Sequence, residues 1–113
     1  MLIIIVVVTI KIYRSKVSKK EMDAIEDIDT IQFVDVRSKN EFLAYSLPKS
    51  TNIPVNALKR ESIKLNKNVP VVVFCVTGTR SAIAKVILRA LGFEKIINAG
   101  TVRNVQKYLK SRS

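Results

Sequence analysis

The chain contains no histidine and no tryptophan, only one cysteine, and fewer than half as many acidic residues as basic ones, 9 against 20. Each scarcity excludes something. Without histidine there can be no Cys–His catalytic pair and no histidine-ligated metal site. No metal and no cofactor is expected. A lone cysteine rules out an internal disulfide, which fits a reducing compartment. No internal repeat or low-complexity linker divides the 113 residues, so they make one domain, large enough for a core without staples.

The shortage of acids leaves a formal net charge of +11, which raises nucleic acid and anionic membrane as partners. Position decides between them. Lys11, Arg14, Lys16, Lys19 and Lys20 follow directly on an apolar N-terminus, and Arg103, Lys107, Lys110 and Arg112 lie at the other end. No aromatic-interleaved basic patch or nucleic-acid motif accompanies them, so nucleic acid is not the expected partner.

Met1 to Ile10 is aliphatic except for Thr9, and apolar character continues through Ile12 and Tyr13. As a helix these residues span about 18 Å, against a hydrocarbon core of about 30 Å. Extension to Val17, with Lys11 snorkelling and Tyr13 and Arg14 among headgroups, brings the helix near the lower limit for a span. A buried β-branched strand would look similar. The expectation is a hydrophobic membrane anchor over 1–16, a cytoplasmic domain over 17–113, and basic residues held against anionic lipid.

The chemistry concentrates in Val71 to Ser81, VVVFCVTGTRS. Val71 to Cys75 is wholly apolar, mostly β-branched and preceded by Pro70, the pattern of a strand buried on both faces of a parallel sheet. Val76-Thr77-Gly78-Thr79-Arg80 then forms a short loop into a helix from Ser81 towards Gly92, along which Ile83, Val86, Ile87, Ala90 and Leu91 recur at helical spacing. Successive N–H groups of such a loop, backed by the helix's positive end, make a concavity that favours a thiolate. Arg80 adds positive charge nearby, so Cys75 is the candidate nucleophile. The bland alternative is a buried cysteine serving as a small hydrophobe.

Around this stretch, Ser18 and Glu21 form a capping-box pattern ahead of a helix with Met22, Ile25 and Ile28 inward. Ile31 to Val36 makes a strand leaving through Asp35-Val36-Arg37. Ser38 and Glu41 repeat the capping-box pattern for a helix from Lys39 to about Tyr45. Thr51-Asn52-Ile53 is extended, Val55 to Lys59 is a helical turn and Arg60 to Asn68 a polar loop. Glu94 to Asn98 makes another strand, Ala99-Gly100 a turn, and Val102, Val105 and Leu109 a final amphipathic helix. Helices alternating with short apolar strands mean an α/β fold with a parallel sheet, whose reactive groups gather at the strands' C-terminal ends. Asp35, Arg37 and Cys75 all fall there.

These pieces resemble the single-domain rhodanese-like sulfurtransferases over about Val17 to Tyr108. The matching parts are Phe33 to Arg37, Glu41-Phe42, Tyr45 to Pro54, the C-x-x-G-x-R-S run Cys75 to Ser81, Gly92-Phe93 and Ala99-Gly100. The resemblance implies a rhodanese-like parallel sheet with helices on both faces, and an enzyme working through a Cys75 persulfide. The sulfur would come from a small donor, thiosulfate or a persulfide, and pass to cyanide, a thiol or a protein acceptor. The amides of Val76 to Arg80 would hold the anionic sulfur, and Arg80 would brace the loop or contact the donor. Asp35, Arg37 and Ser81 would be supporting residues. Four residues separate Cys75 from Arg80; the rhodanese-like cell-cycle phosphatases have a longer loop, and the smaller cradle suits sulfur better than phosphate or arsenate. A tethered interaction module with little or no catalysis is the competing reading. The chain departs from the family pattern G-H-I-P-G-A-x-N-I-P, having Tyr45-Ser46-Leu47-Pro48-Lys49-Ser50-Thr51-Asn52-Ile53-Pro54.

Overall fold

The computed structural model of the chain describes residues 2–112, the side chains at 7, 8 and 10–18 excepted. Helix α1 (Leu2–Asp23) leads through a 3-10 turn to strand β1 (Gln32–Asp35), α2 (Lys39–Ala44) and β2 (Ser50–Asn52). A second 3-10 turn precedes α3 (Leu58–Glu61) and a third follows it. Then come β3 (Val71–Cys75), α4 (Thr79–Ala90), β4 (Ile96–Thr101) and α5 (Val102–Ser111).

The four strands form one parallel sheet in the order β2-β1-β3-β4. The chain steps from β1 outward to β2, then crosses back to lay β3 on β1's other side. That reversal makes the C-terminal ends of β1 and β3 the switch point of the sheet, the place where ligands of open α/β sheets bind. Cys75 ends β3 there and Asp35 ends β1.

Alternation along the strands divides the core into two layers, as a sheet covered on both faces requires. Val34, Val36, Val71, Val73 and Cys75 pack with Leu58, Ala84 and Leu88 on the α3–α4 face. Phe33, Val72, Phe74 and Ala99 pack with Met22, Val105 and Tyr108 on the α1–α5 face. All five β3 residues are buried, as the unbroken apolar run predicts.

Some elements differ in extent from those expected. No glycine or proline occurs before Pro48, so nothing breaks a helix at Ser18, and α1 runs unbroken across the expected 16/17 boundary. Its last turn is docked, with Met22 buried and Tyr108 Oη donating to the Met22 carbonyl at 3.0 Å, and just beyond the helix Arg112 donates to the carbonyls of Ile25 and Glu26. Leu2 to Val6, at the other end, are exposed. Among the described residues no helix is long and apolar enough to cross a membrane. This corrects the expected transmembrane anchor: the aliphatic run is too short, and lysines and arginines occupy the rest of the helix.

The stretch Arg60 to Asn68 is less irregular than expected, since α3 continues to Glu61 and Ser62–Lys64 forms a 3-10 turn. Ala99-Gly100 lies inside β4 rather than in a turn, next to a register shift opposite Val73 and Phe74. Lys49 has φ of 65°, the left-handed conformation natural to glycine, at the place where the family pattern has one.

Helix α4 presents Ser81, Ala84 and Leu88 to the core, with Ile87 and Leu91 partly buried, whereas Ile83 and Val86 face outward. Leu88→Ala is therefore expected to cost about 2–5 kcal/mol of unfolding free energy in urea titration, and Val86→Ala about 0.5 kcal/mol or less. Equal losses would mean that α4 is rotated from this face.

Candidate active site

The site begins with the way β3 becomes α4. Gly78, at the N-terminal cap of α4, has φ of +93°, and a Cβ placed on it would lie 3.5 Å from Gly100 Cα. Only glycine takes that conformation without strain. The turn is therefore shorter than the expected loop: Val76, Thr77 and Gly78 make it, while Thr79 and Arg80 stand in the first turn of α4. Val76 and Thr77 are exposed above it.

This turn folds the chain back over the sulfur. Gly78 N–H donates to Cys75 Sγ at 3.0 Å, and Ser81 Oγ lies 3.7 Å from the sulfur. Cys75 and Ser81 are both buried, so these contacts are shielded from water. Burial pushes the Cys75 thiol up, but the Ser81 amide and hydroxyl and the amides of Gly78 and Thr77 outweigh it and bring the thiol below its ordinary value. Of the amides from Val76 to Arg80 expected around the sulfur, that of Gly78 is hydrogen-bonded to it and that of Thr77 acts on it, and Ser81, outside that run, adds its amide and hydroxyl.

Ser81 has more than a supporting position. Its hydroxyl can donate to the Gly78 carbonyl at 3.0 Å or the Gly100 carbonyl at 3.4 Å, and it can accept from the Cys75 thiol. A hydroxyl holds one proton, so ionisation of the thiol lets that proton turn to the sulfur. Ser81 ties turn, nucleophile and β4 together.

Arg80 points across to α2, where its guanidinium binds Glu41 through both nitrogens, at 2.6 and 3.0 Å. Glu41 also completes the capping box on Ser38. Arg80, then the Ser38 amide and hydroxyl, hold the Glu41 carboxyl down to about 2. Because that value is depressed, the pair is intact above the ordinary carboxylate range and is lost only as pH falls through about 2. This partnership escapes sequence reasoning, which shows Glu41 only as a capping residue 39 positions from Arg80.

Asp35 and Arg37 form a buried clamp at the end of β1. The Asp35 carboxylate accepts from the Arg37 amide, Nε and Nη2 at 2.8 to 3.0 Å, and Arg37 Nη2 also reaches the Tyr45 carbonyl. Asn52 Nδ2 donates to the Asp35 and Arg37 carbonyls at 3.0 and 2.9 Å. The clamp holds the α2–β2 connection in place and makes no hydrogen bond to Cys75. Among the described residues no cluster of histidine, cysteine or carboxylate side chains could hold a metal ion.

Comparison with known proteins agrees with this geometry. A family model described as a rhodanese-like domain matches residues 18–101. The chain is similar to the adenylyltransferase and sulfurtransferase uba4 of Ogataea parapolymorpha, 36% identical over 66 residues, covering 58% of this chain and 17% of that protein. It is also similar to a putative sulfur carrier protein, YrkF, of Bacillus subtilis, 27% identical over 74 residues, covering 66% of this chain and 40% of that one. The chain therefore spans less than half the length of either relative. The human single-domain sulfurtransferase TSTD1 superposes with a TM-score of 0.58 at 27% identity, over 70% of this chain and 83% of that one.

The hydrogen bonds at Sγ set a pH dependence. A depressed thiol value means that thiolate forms at lower pH than in a free cysteine and is lost as pH falls through that value. The rate of Cys75 modification by a small thiosulfonate is expected to rise with a midpoint below that of free cysteine. Ser81→Ala moves the midpoint up; an unmoved midpoint would remove Ser81 from the set of groups that hold the charge.

Proposed function

Because the chain belongs to the rhodanese-like domain family, we propose that it is a sulfurtransferase carrying sulfur as a persulfide on Cys75. The observation that carries this reading is the buried sulfur under the Gly78 amide, with Ser81 alongside. Sulfur transfer as the general activity is in keeping with the relatives, among them a sulfurtransferase and a putative sulfur carrier.

In the first step the Cys75 thiolate attacks the outer sulfur of a donor such as thiosulfate. An S–S bond forms at Cys75 as the donor's S–S bond breaks, and sulfite leaves with the electron pair. The enzyme is left as Cys75–S–S⁻, the charged form that the Thr77, Gly78 and Ser81 amides can stabilise as they stabilise the thiolate. In the second step an acceptor thiolate or cyanide attacks the terminal sulfur, and Cys75 departs as thiolate. A low thiol value serves both steps, since Cys75 is nucleophile in one and leaving group in the other.

Arg80 serves this chemistry as a positioning residue. Its tie to Glu41 fixes the first turn of α4 against α2, and with it the direction of the amides. Asp35 and Arg37 hold the neighbouring connection, which carries the Tyr45 to Thr51 departures from the family pattern.

Intact-mass spectrometry after incubation with thiosulfate, or with a low-molecular-weight persulfide, tests the reading. One added sulfur is expected on the wild-type chain, removed by excess thiol or cyanide and absent from Cys75→Ala. A folded wild-type chain that takes up no sulfur from either donor would contradict it.

A further inference from the structure

The outer edge of the sheet carries a groove of about 740 Å³ that the Cys75 chemistry does not use. Phe42 and Leu43 of α2 with Pro54 and Ala57 form its apolar lining, and Lys39 and Arg60 stand at its rim. Leu43 is 69% exposed, far more than a side chain that completes a core. Lys39 makes no side-chain hydrogen bond or ion pair with any described residue. Glu61 also lines the groove; Lys64 holds its carboxylate at 2.7 Å and Arg60 pairs with it at 3.9 Å. Lys39, Arg60 and Lys64 against that one carboxylate leave net positive charge beside the apolar floor.

Its third wall is backbone. β2 is the edge strand of the sheet. Thr51 pairs with Val34, and Ile53 N–H donates to the Asp35 carbonyl at 3.0 Å, so both turn their main-chain groups towards β1. Alternate residues of a strand point their amides and carbonyls to opposite sides, which turns those of Asn52 outward into the groove. An exposed edge beside an apolar groove is the arrangement that accepts an extended peptide.

We propose that this groove docks an extended acidic segment of a partner protein. The segment lies along β2, an apolar side chain rests on Phe42 and Leu43, and carboxylates face Lys39 and Arg60. A second copy of the chain is a poor occupant, because each copy carries a formal charge of +11. The partner's role as sulfur acceptor or donor rests on the sulfurtransferase reading. The link is α2, which supplies Phe42 and Leu43 to the groove and Glu41 to Arg80 beside the Cys75 turn.

The test uses the full chain and a short fluorescein-labelled peptide of alternating glutamate and valine around a central phenylalanine, read by fluorescence anisotropy. Expected results are saturable binding and amide NMR shifts centred on Leu43, Thr51 and Asn52. The double variant Lys39→Glu, Arg60→Gln should weaken binding at least about tenfold, and Leu43→Ser should weaken it independently. Both should load sulfur on Cys75 as wild type does. No binding overturns the proposal, as does equal binding of a glutamate–serine peptide or of oligothymidine, which would mark non-specific attraction to a basic protein. Sedimentation showing self-association that the double variant abolishes would assign the groove to a second copy and also overturn it. Groove binding with no sulfur uptake would sink the sulfurtransferase reading alone; sulfur uptake with no peptide binding would sink the docking proposal alone.

Discussion

The structure turns on one hydrogen bond, from the Gly78 amide to Cys75 Sγ at 3.0 Å. A cysteine buried at the end of a central strand would by burial alone keep its proton, and so be inert. Reversing that preference takes amides aimed at the sulfur, and aiming them takes a turn that leaves β3 and enters α4 within three residues. Gly78 makes the turn possible because its φ of +93° is open to glycine without strain. The sheet order, the register shift in β4 beside Gly100 and the burial of Ser81 all meet at this point.

Much of this was legible in the residues. Val71 to Cys75 announced a strand buried on both faces because no polar residue interrupts it, and the structure buries all five. Ser38 and Glu41 announced a helix start, and both halves of their capping box are formed. Cys75, Gly78 and Ser81 were near enough in sequence for their geometry to follow from local rules. The Glu41–Arg80 pair was not, because it spans 39 positions and depends on where two helices end up relative to each other. The inward face of α4 was also hidden: Ile83 and Val86 share the helical spacing, yet small Ser81 and Ala84 are the residues that fit against the sheet. Local apolarity marks a helix; packing chooses its face.

The N-terminus shows a similar limit. An aliphatic decad followed by basic residues suggested an anchor and then a domain, with a boundary between them. With no glycine or proline to stop it, the helix continues into the domain and docks by its last turn against α5. Basic charge is then distributed over α1, the groove rim and α5, while the Cys75 turn relies on neutral amides. Positive charge therefore bears on what the protein meets, and the amides bear on what the sulfur does.

Amides that hold an anionic sulfur must respond when that sulfur arrives. Amide NMR of the uniformly 15N-labelled chain before and after loading Cys75 with sulfur reads this out. The Thr77, Gly78 and Ser81 amide protons are expected to move downfield together on loading and to return when a thiol removes the sulfur. A Cys75 that demonstrably carries sulfur while those three resonances stay where they were would contradict that role.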